Sequence, residues 1–172
     1  VRQHSRIFVA SAHTFDPFIG DLVSAWVAGA VLCLAPRSLV QPSLGLCLSA
    51  SRATHVCSTP SVWSPSVDQA GWHPGNLPHL AVVALGGEKM SLETITIWGS
   101  AEGTAPAAPA TPATSATSAI SITTTTSDHD SPGKQDQELQ QSDGRVELLN
   151  TYGVTEATVY QTSARLFASD PR

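Results

Sequence analysis

Val146-Glu147-Leu148-Leu149, followed directly by Asn150-Thr151-Tyr152-Gly153-Val154-Thr155-Glu156, is the stretch on which the fold turns. The apolar run reads as a buried strand. The seven residues after it bring an aromatic, a glycine, a hydroxyl and a carboxylate to one strand end. An aromatic ring stacks on a flat base, and glycine lets backbone approach a ligand closely. Threonine donates to phosphate or carboxylate oxygens, and a carboxylate beside phosphates is a natural magnesium ligand. The combination points to nucleotide chemistry.

Two earlier stretches have the same layout. Phe15-Asp16 follows the strand-like Arg6-Ile7-Phe8-Val9-Ala10, and Leu85-Gly86-Gly87-Glu88 follows Leu80-Ala81-Val82-Val83-Ala84. Between them the spacing predicts a helix over Asp21 to Ala28, with Leu22, Ala25, Trp26 and Gly29 on one face. A strand over Val31 to Ala35 comes next, then a helix over Leu44 to Ser51 with Ser43 as its cap. Thr54 to Cys57 reads as a strand, 61–79 as one short helix and a loop, and Ser91 to Trp98 as a helix. Strands without polar alternation, separated by helices, imply an α/β fold, a parallel sheet covered by helices. Such sheets bind ligands beyond the carboxyl ends of their strands, where all three landmarks fall.

Residues 100–145 break the pattern. An Ala/Pro/Thr/Ser tract, the run Thr123 to Thr126 and a polar, acidic segment bury too little apolar area to offset chain entropy. The expected organisation is therefore an α/β core over 1–99, a disordered insertion over 100–145, and a continuation of the core over 146–172. Gly133-Lys134 is not a phosphate loop, because Asp128 stands where the first glycine belongs.

Composition narrows the function classes. Net charge is -5, only 13% of residues are charged, and Lys and Arg are nowhere clustered, which argues against nucleic acid as a partner. The apolar stretch Leu22 to Ala35 is too short for a bilayer and is broken by Gly29. Cys33, Cys47 and Cys57 show no CxxC spacing and read as reduced thiols of a cytoplasmic protein. The histidines lack paired metal spacing, and no Gly-x-Ser-x-Gly elbow is present. His13 lies close enough to Asp16 to be a minor ligand candidate.

The three landmarks, in this order, resemble the motifs of the AMP-binding domain of the adenylate-forming (ANL) superfamily. The resemblance spans roughly residues 6–98 and 146–162, and Val154 stands where that family usually has proline. It is most like an amino-acid adenylation domain of a fungal-type nonribosomal peptide synthetase, and implies a fragment of the large N-terminal subdomain. ATP and Mg2+ are then expected, with phosphopantetheine on a downstream carrier domain. The implied partners are an amino-acid substrate and the carrier-protein and condensation domains of a larger synthetase.

The resemblance also assigns roles. Tyr152 stacks on adenine, and Gly87, Glu88, Asn150 and Gly153 run along the nucleotide. Thr155 lies at the α-phosphate and Glu156 on magnesium, the two together forming the catalytic pair. Asp16 holds the substrate's α-amino group. The side-chain pocket takes Pro17, Gly20, Cys57, Ala84, Gly86, Thr151, Val159 and Tyr160. Blander alternatives stand beside each. Asp16 caps a helix, Tyr152 packs in a core, Thr155-Glu156 opens a helix, Gly86-Gly87 is ordinary turn punctuation, and Cys57 ends a buried strand.

The family's phosphate loop is expected before residue 1, and its lid lysine and ribose-binding aspartate after residue 172. A fragment without them is expected to bind ATP poorly and not to turn over. The competing classes are an acyl- or aryl-CoA ligase or adenylate-forming reductase fragment, and a degenerate α/β module without catalysis.

Overall fold

A computed structural model describes residues 1–99, 123–125, 146–152 and 162–166. Its strands are β1 (Arg6–Val9), β2 (Val31–Leu34), β3 (His55–Ser58), β4 (Val82–Gly86), β5 (Thr123–Thr125), β6 (Glu147–Tyr152) and β7 (Thr162–Leu166). They form one seven-stranded sheet in the order β5-β2-β1-β3-β4-β6-β7. The inner strands β2-β1-β3-β4-β6 are parallel, as apolar runs separated by helices require. β5 and β7 close the two edges antiparallel. Neither edge strand was anticipated: β5 lies within 100–145, and β7 follows the third landmark.

The helices are α1 (Asp16–Ala28), α2 (Arg37–Ser51), α3 (Pro60–Trp63) and α4 (Leu92–Trp98). α3 runs straight into a π-helical turn, Ser64–Asp68, and a 3-10 turn covers Pro74–Asn76. α1 stops at Gly29, whose φ of 61° is a left-handed cap. α2 is kinked at Ser43 (φ -145°), next to Pro42, which has no N–H to give the helix. Ser43 therefore does mark a helix start, but another turn and a half precedes it. Ser91 caps α4 by accepting the Thr94 N–H at 3.0 Å.

Strand alternation sorts the sheet into two faces. Phe8, Val56, Val83, Leu85 and Leu148 point to one, where they pack with Leu44 and Leu48 of α2, Val67 of the π-helical turn, and Ile95 and Trp98 of α4. At the heart of this layer the buried Asp68 accepts from both indole N–H groups, Trp63 at 2.9 Å and Trp98 at 2.8 Å, and from the Thr94 hydroxyl. The two indoles meet edge to face with centroids 5.1 Å apart.

α1 covers the other face and corrects the expectation twice. It begins at Asp16, a turn and a half before Asp21. Its buried stripe is Pro17, Asp21 and Ala25, while Trp26 is 78% exposed. Ile19, Val23, Trp26 and Val27 lie outward. A helix with apolar residues on two sides has a legible period but no legible inner face. Among the described residues no helix is long and apolar enough to cross a membrane.

Candidate functional site

All parallel strands point the same way, so the ends of β1, β4 and β6 share one edge of the sheet. Asp16 opens α1 just beyond β1, the Gly86-Gly87 turn closes β4, and Tyr152 closes β6. Between β1 and β6 lie β3 and β4. Three strand spacings, about 14 Å at ~4.8 Å each, thus separate the Asp16 and Tyr152 ends of the edge.

Asp16 is the first residue of the helix and Phe15 is its N-cap, with no side-chain capping bond. A carboxylate there lies in the positive field of the helix N-terminus. Further along α1, where Asp21 and Ser24 face the sheet, is a cleft of about 390 Å³. Cys57, Ala84 and Thr151, three of the residues nominated for a side-chain pocket, line it together with Asp21, His55 and Ser163. Pro17 is buried and Gly20 half-buried on the same helix, but neither lines the cleft.

Gly86 has a clear physical reason. It is the strand partner of Thr151, and a Cβ added to it meets Thr151 Oγ1 at 2.2 Å and the Thr151 carbonyl oxygen at 2.3 Å. Its hydrogen side chain accommodates the neighbouring strand, and Gly86 itself does not line the cleft. Gly87 has φ 81° with nothing within 4 Å of a built Cβ, so backbone at this turn is open to an approaching flat ligand. Glu88 is engaged within the protein: its carboxylate accepts from the Ser61 amide at 3.0 Å and the Ser61 hydroxyl at 2.8 Å. This clasp ties the Gly87 turn to the start of α3.

Asn150 is exposed, and Tyr152, 59% exposed, offers a ring face at the strand end. Gly153, Thr155, Glu156, Val159 and Tyr160 lie outside the described residues, so neither the phosphate contact nor the magnesium ligand has a described geometry. Among the described residues no group of three or more His, Cys, Asp or Glu is placed to hold a metal ion.

Asp21, which the sequence reading placed only as a helix start, is a prominent polar group of the cleft. It is 9% exposed, and burial pushes its carboxyl up from 3.8 to about 7. His55 is driven the opposite way, to about 4, first by burial and then by the Val1 α-ammonium, with Glu147 opposing. Its Nδ1 lies 2.8 Å from the Thr54 hydroxyl. Only the stripe Pro17-Asp21-Ala25, at four-residue steps, carried any signal that Asp21 faces inward.

No family model matches the chain. Over 102 residues it is 28% identical to the ferrichrome siderophore peptide synthetase of Mycosarcoma maydis, covering 59% of this chain and 2% of that protein. It is 33% identical over 96 residues to the hydroxamate-type ferrichrome siderophore peptide synthetase of Schizosaccharomyces pombe, covering 56% of this chain and again 2% of the relative. The crystal structure of the Vibrio cholerae adenylation domain AlmE in complex with glycyl-adenosine-5'-phosphate matches the whole chain with a TM-score of 0.65 at 19% identity. The chain spans 24% of AlmE. The fold is therefore that of part of the large subdomain of an adenylate-forming enzyme. Its sequence is most like a piece of an adenylation domain of a nonribosomal peptide synthetase.

Proposed function

We propose that the chain is the central part of an amino-acid adenylation domain, which uses ATP to convert an amino acid to an aminoacyl-adenylate for transfer to a phosphopantetheinyl carrier. The observation that carries this is the convergence of three separate sequence landmarks on one edge of a sheet that also brings Cys57, Ala84 and Thr151 together in one cleft. In this proposal the Asp16 carboxylate accepts from the substrate's α-ammonium. Pro17, Gly20, Gly86, Val159 and Tyr160 complete the side-chain pocket. Adenine lies on Tyr152, with Gly87, Glu88, Asn150 and Gly153 along the nucleotide. Thr155 serves the α-phosphate and Glu156 a magnesium ion, which when bound supplies charge neutralisation at the phosphates.

Residues 1–99 and 146–172 then belong to one unit, with 100–145 inserted in it. Carrier-protein and condensation domains are the partners, and three buried cysteines outside any disulfide favour a cytoplasmic setting. Residues 1–172 contain no recognisable phosphate loop or lid lysine, so this polypeptide alone is expected to bind nucleotide weakly without turnover.

The test is binding of an aminoacyl-sulfamoyl adenosine and of AMP to the 172-residue chain, followed by NMR. Asp16→Ala is expected to weaken the aminoacyl probe at least tenfold and leave AMP unchanged, while Tyr152→Ala weakens both. Equal affinity of wild type and Asp16→Ala for the aminoacyl probe would remove the amino-acid assignment. Pyrophosphate exchange by the isolated chain would refute its predicted inactivity.

A further inference from the structure

Glu88 caps a helix that is not its own. Thr59, the N-cap of α3, makes no side-chain capping bond, and the Ser61 amide lies in the first turn, where N–H groups lack helical partners. The Glu88 carboxylate supplies that partner from the β4–α4 connection. Its Oε2 accepts the Ser61 N–H at 3.0 Å and its Oε1 the Ser61 hydroxyl at 2.8 Å. A negative charge at the start of a helix is favoured electrostatically. The Thr59 hydroxyl, 3.1 Å from that of Ser61, extends the chain of contacts. The anchor is firm. Trp63, two residues on, is fully buried and donates to Asp68, which also accepts from Thr94 and Trp98 of α4.

The clasp holds a turn that adjoins Tyr152. Gly86 is in register with Thr151, so the next residues, Gly87 and Tyr152, leave neighbouring strands side by side. Gly86 is fixed by the ladder and Met90 is buried in the core, but Gly87 and Glu88 between them are exposed. Glycine at φ 81° has many other conformations open to it. A tie at this point selects one of them before a ligand arrives, which lowers the ordering cost of binding. A Glu88 carboxylate turned toward a nucleotide would give up both Ser61 bonds and set its charge against that of the phosphates.

We propose that Ser61 is a positioning residue for nucleotide binding: it holds Glu88, and Glu88 holds the Gly87 turn in the shape that lets backbone meet the nucleotide. The Glu88 side chain is then a strut, and only its backbone runs along the ligand. This rests on the assignment of the Gly87 turn and Tyr152 to the nucleotide.

The experiment is an NMR titration of the 172-residue chain with AMP, run as a double-mutant cycle. Ser61→Ala removes one bond of the clasp and is expected to weaken AMP about threefold, whereas Glu88→Ala removes both and weakens it about tenfold. The double variant is expected to match Glu88→Ala alone, since both substitutions break one link. Ser61→Thr keeps the hydroxyl and is expected to bind like wild type. Amide exchange at Gly87 should speed up in both alanine variants. Their thermal unfolding, followed by tryptophan fluorescence, should stay as in wild type, because both side chains are exposed. If Glu88 met the nucleotide through its carboxylate, Ser61→Ala would release that group and leave AMP binding unchanged or tighter. That result overturns the assignment and leaves the nucleotide site standing. So do losses that add in the double variant, a Ser61→Thr as weak as Ser61→Ala, or losses that come with a lowered melting temperature. If wild type binds no AMP, the nucleotide site itself fails and this assignment with it.

Discussion

Replacing Asp21 with asparagine separates two titrations that oppose each other inside one cleft. Burial raises the Asp21 carboxyl from 3.8 to about 7, and lowers the His55 imidazole from 6.5 to about 4. Each pH step between folded and unfolded ionisation corresponds to ~1.4 kcal/mol. For Asp21 the folded value lies above the unfolded one, so the unfolded chain releases its proton first. The carboxyl costs nothing below 3.8, and its cost grows to about 4 kcal/mol above pH 7. For His55 the folded value lies below the unfolded one, so the unfolded chain takes up its proton first. That cost appears as pH falls through 6.5 and is complete below about 4, at ~3 kcal/mol before discounting for solvent around a half-buried ring.

Between pH 4 and 6.5 the two slopes have opposite signs and largely cancel in wild type. Asp21→Asn is therefore expected to exceed wild type at pH 8 by up to about 4 kcal/mol, with the two curves converging toward pH 4. Without Asp21 to oppose it, His55 should make the variant lose stability steadily below pH 6.5. Urea unfolding followed by tryptophan fluorescence, at constant ionic strength from pH 4 to pH 8, reads both effects. A gap between the curves that does not change with pH would refute the reasoning, and so would a variant less stable than wild type at pH 8.

Asp68→Ala strands two indole N–H groups in the core and leaves the Thr94 hydroxyl only its Ser91 partner, and is expected to cost about 3–5 kcal/mol in the same unfolding assay. A loss under about 1 kcal/mol would contradict that account. Gly86→Ala drives a methyl into Thr151 of the paired strand. It should cost about 1–3 kcal/mol and speed amide exchange at the β4–β6 ladder, and normal exchange there would show that the strands give way easily. Burial raises the Cys33 and Cys47 thiols above their ordinary value, so both should react slowly with an aromatic disulfide reagent at pH 8. Cys57, which lines the cleft, should react first, and equal rates for all three would count against the cleft being open.

The parallel core was legible because Arg6–Val9, Val82–Gly86 and Glu147–Tyr152 are short apolar runs that each end in residues with unusual chemistry. Their boundaries shifted by one to three residues, since hydrophobic runs mark burial and not the last ladder bond. The edge strands carried no such signal. β5 is three threonines and β7 is Thr-Ser-Ala-Arg-Leu, and antiparallel edges tolerate polar sequence that periodicity does not flag. Asp21 was missed because a single carboxylate in a helical stretch ordinarily faces water, and only packing shows which side of α1 meets the sheet. The clasp between Ser61 and Glu88 joins residues far apart in sequence, so no local pattern announces it.

Consecutive residues of β6 have divided duties: Thr151 looks down into the cleft, and Tyr152 turns its ring to the other side. A slip of one position would exchange them, sending the aromatic into the cavity and the hydroxyl to the rim. The notch at Gly86 opposes that slip, because it fits the Thr151 hydroxyl and backbone so closely that even a methyl is too much. A residue with no side chain thus acts as an index pin, setting which neighbour of the strand meets which part of a ligand.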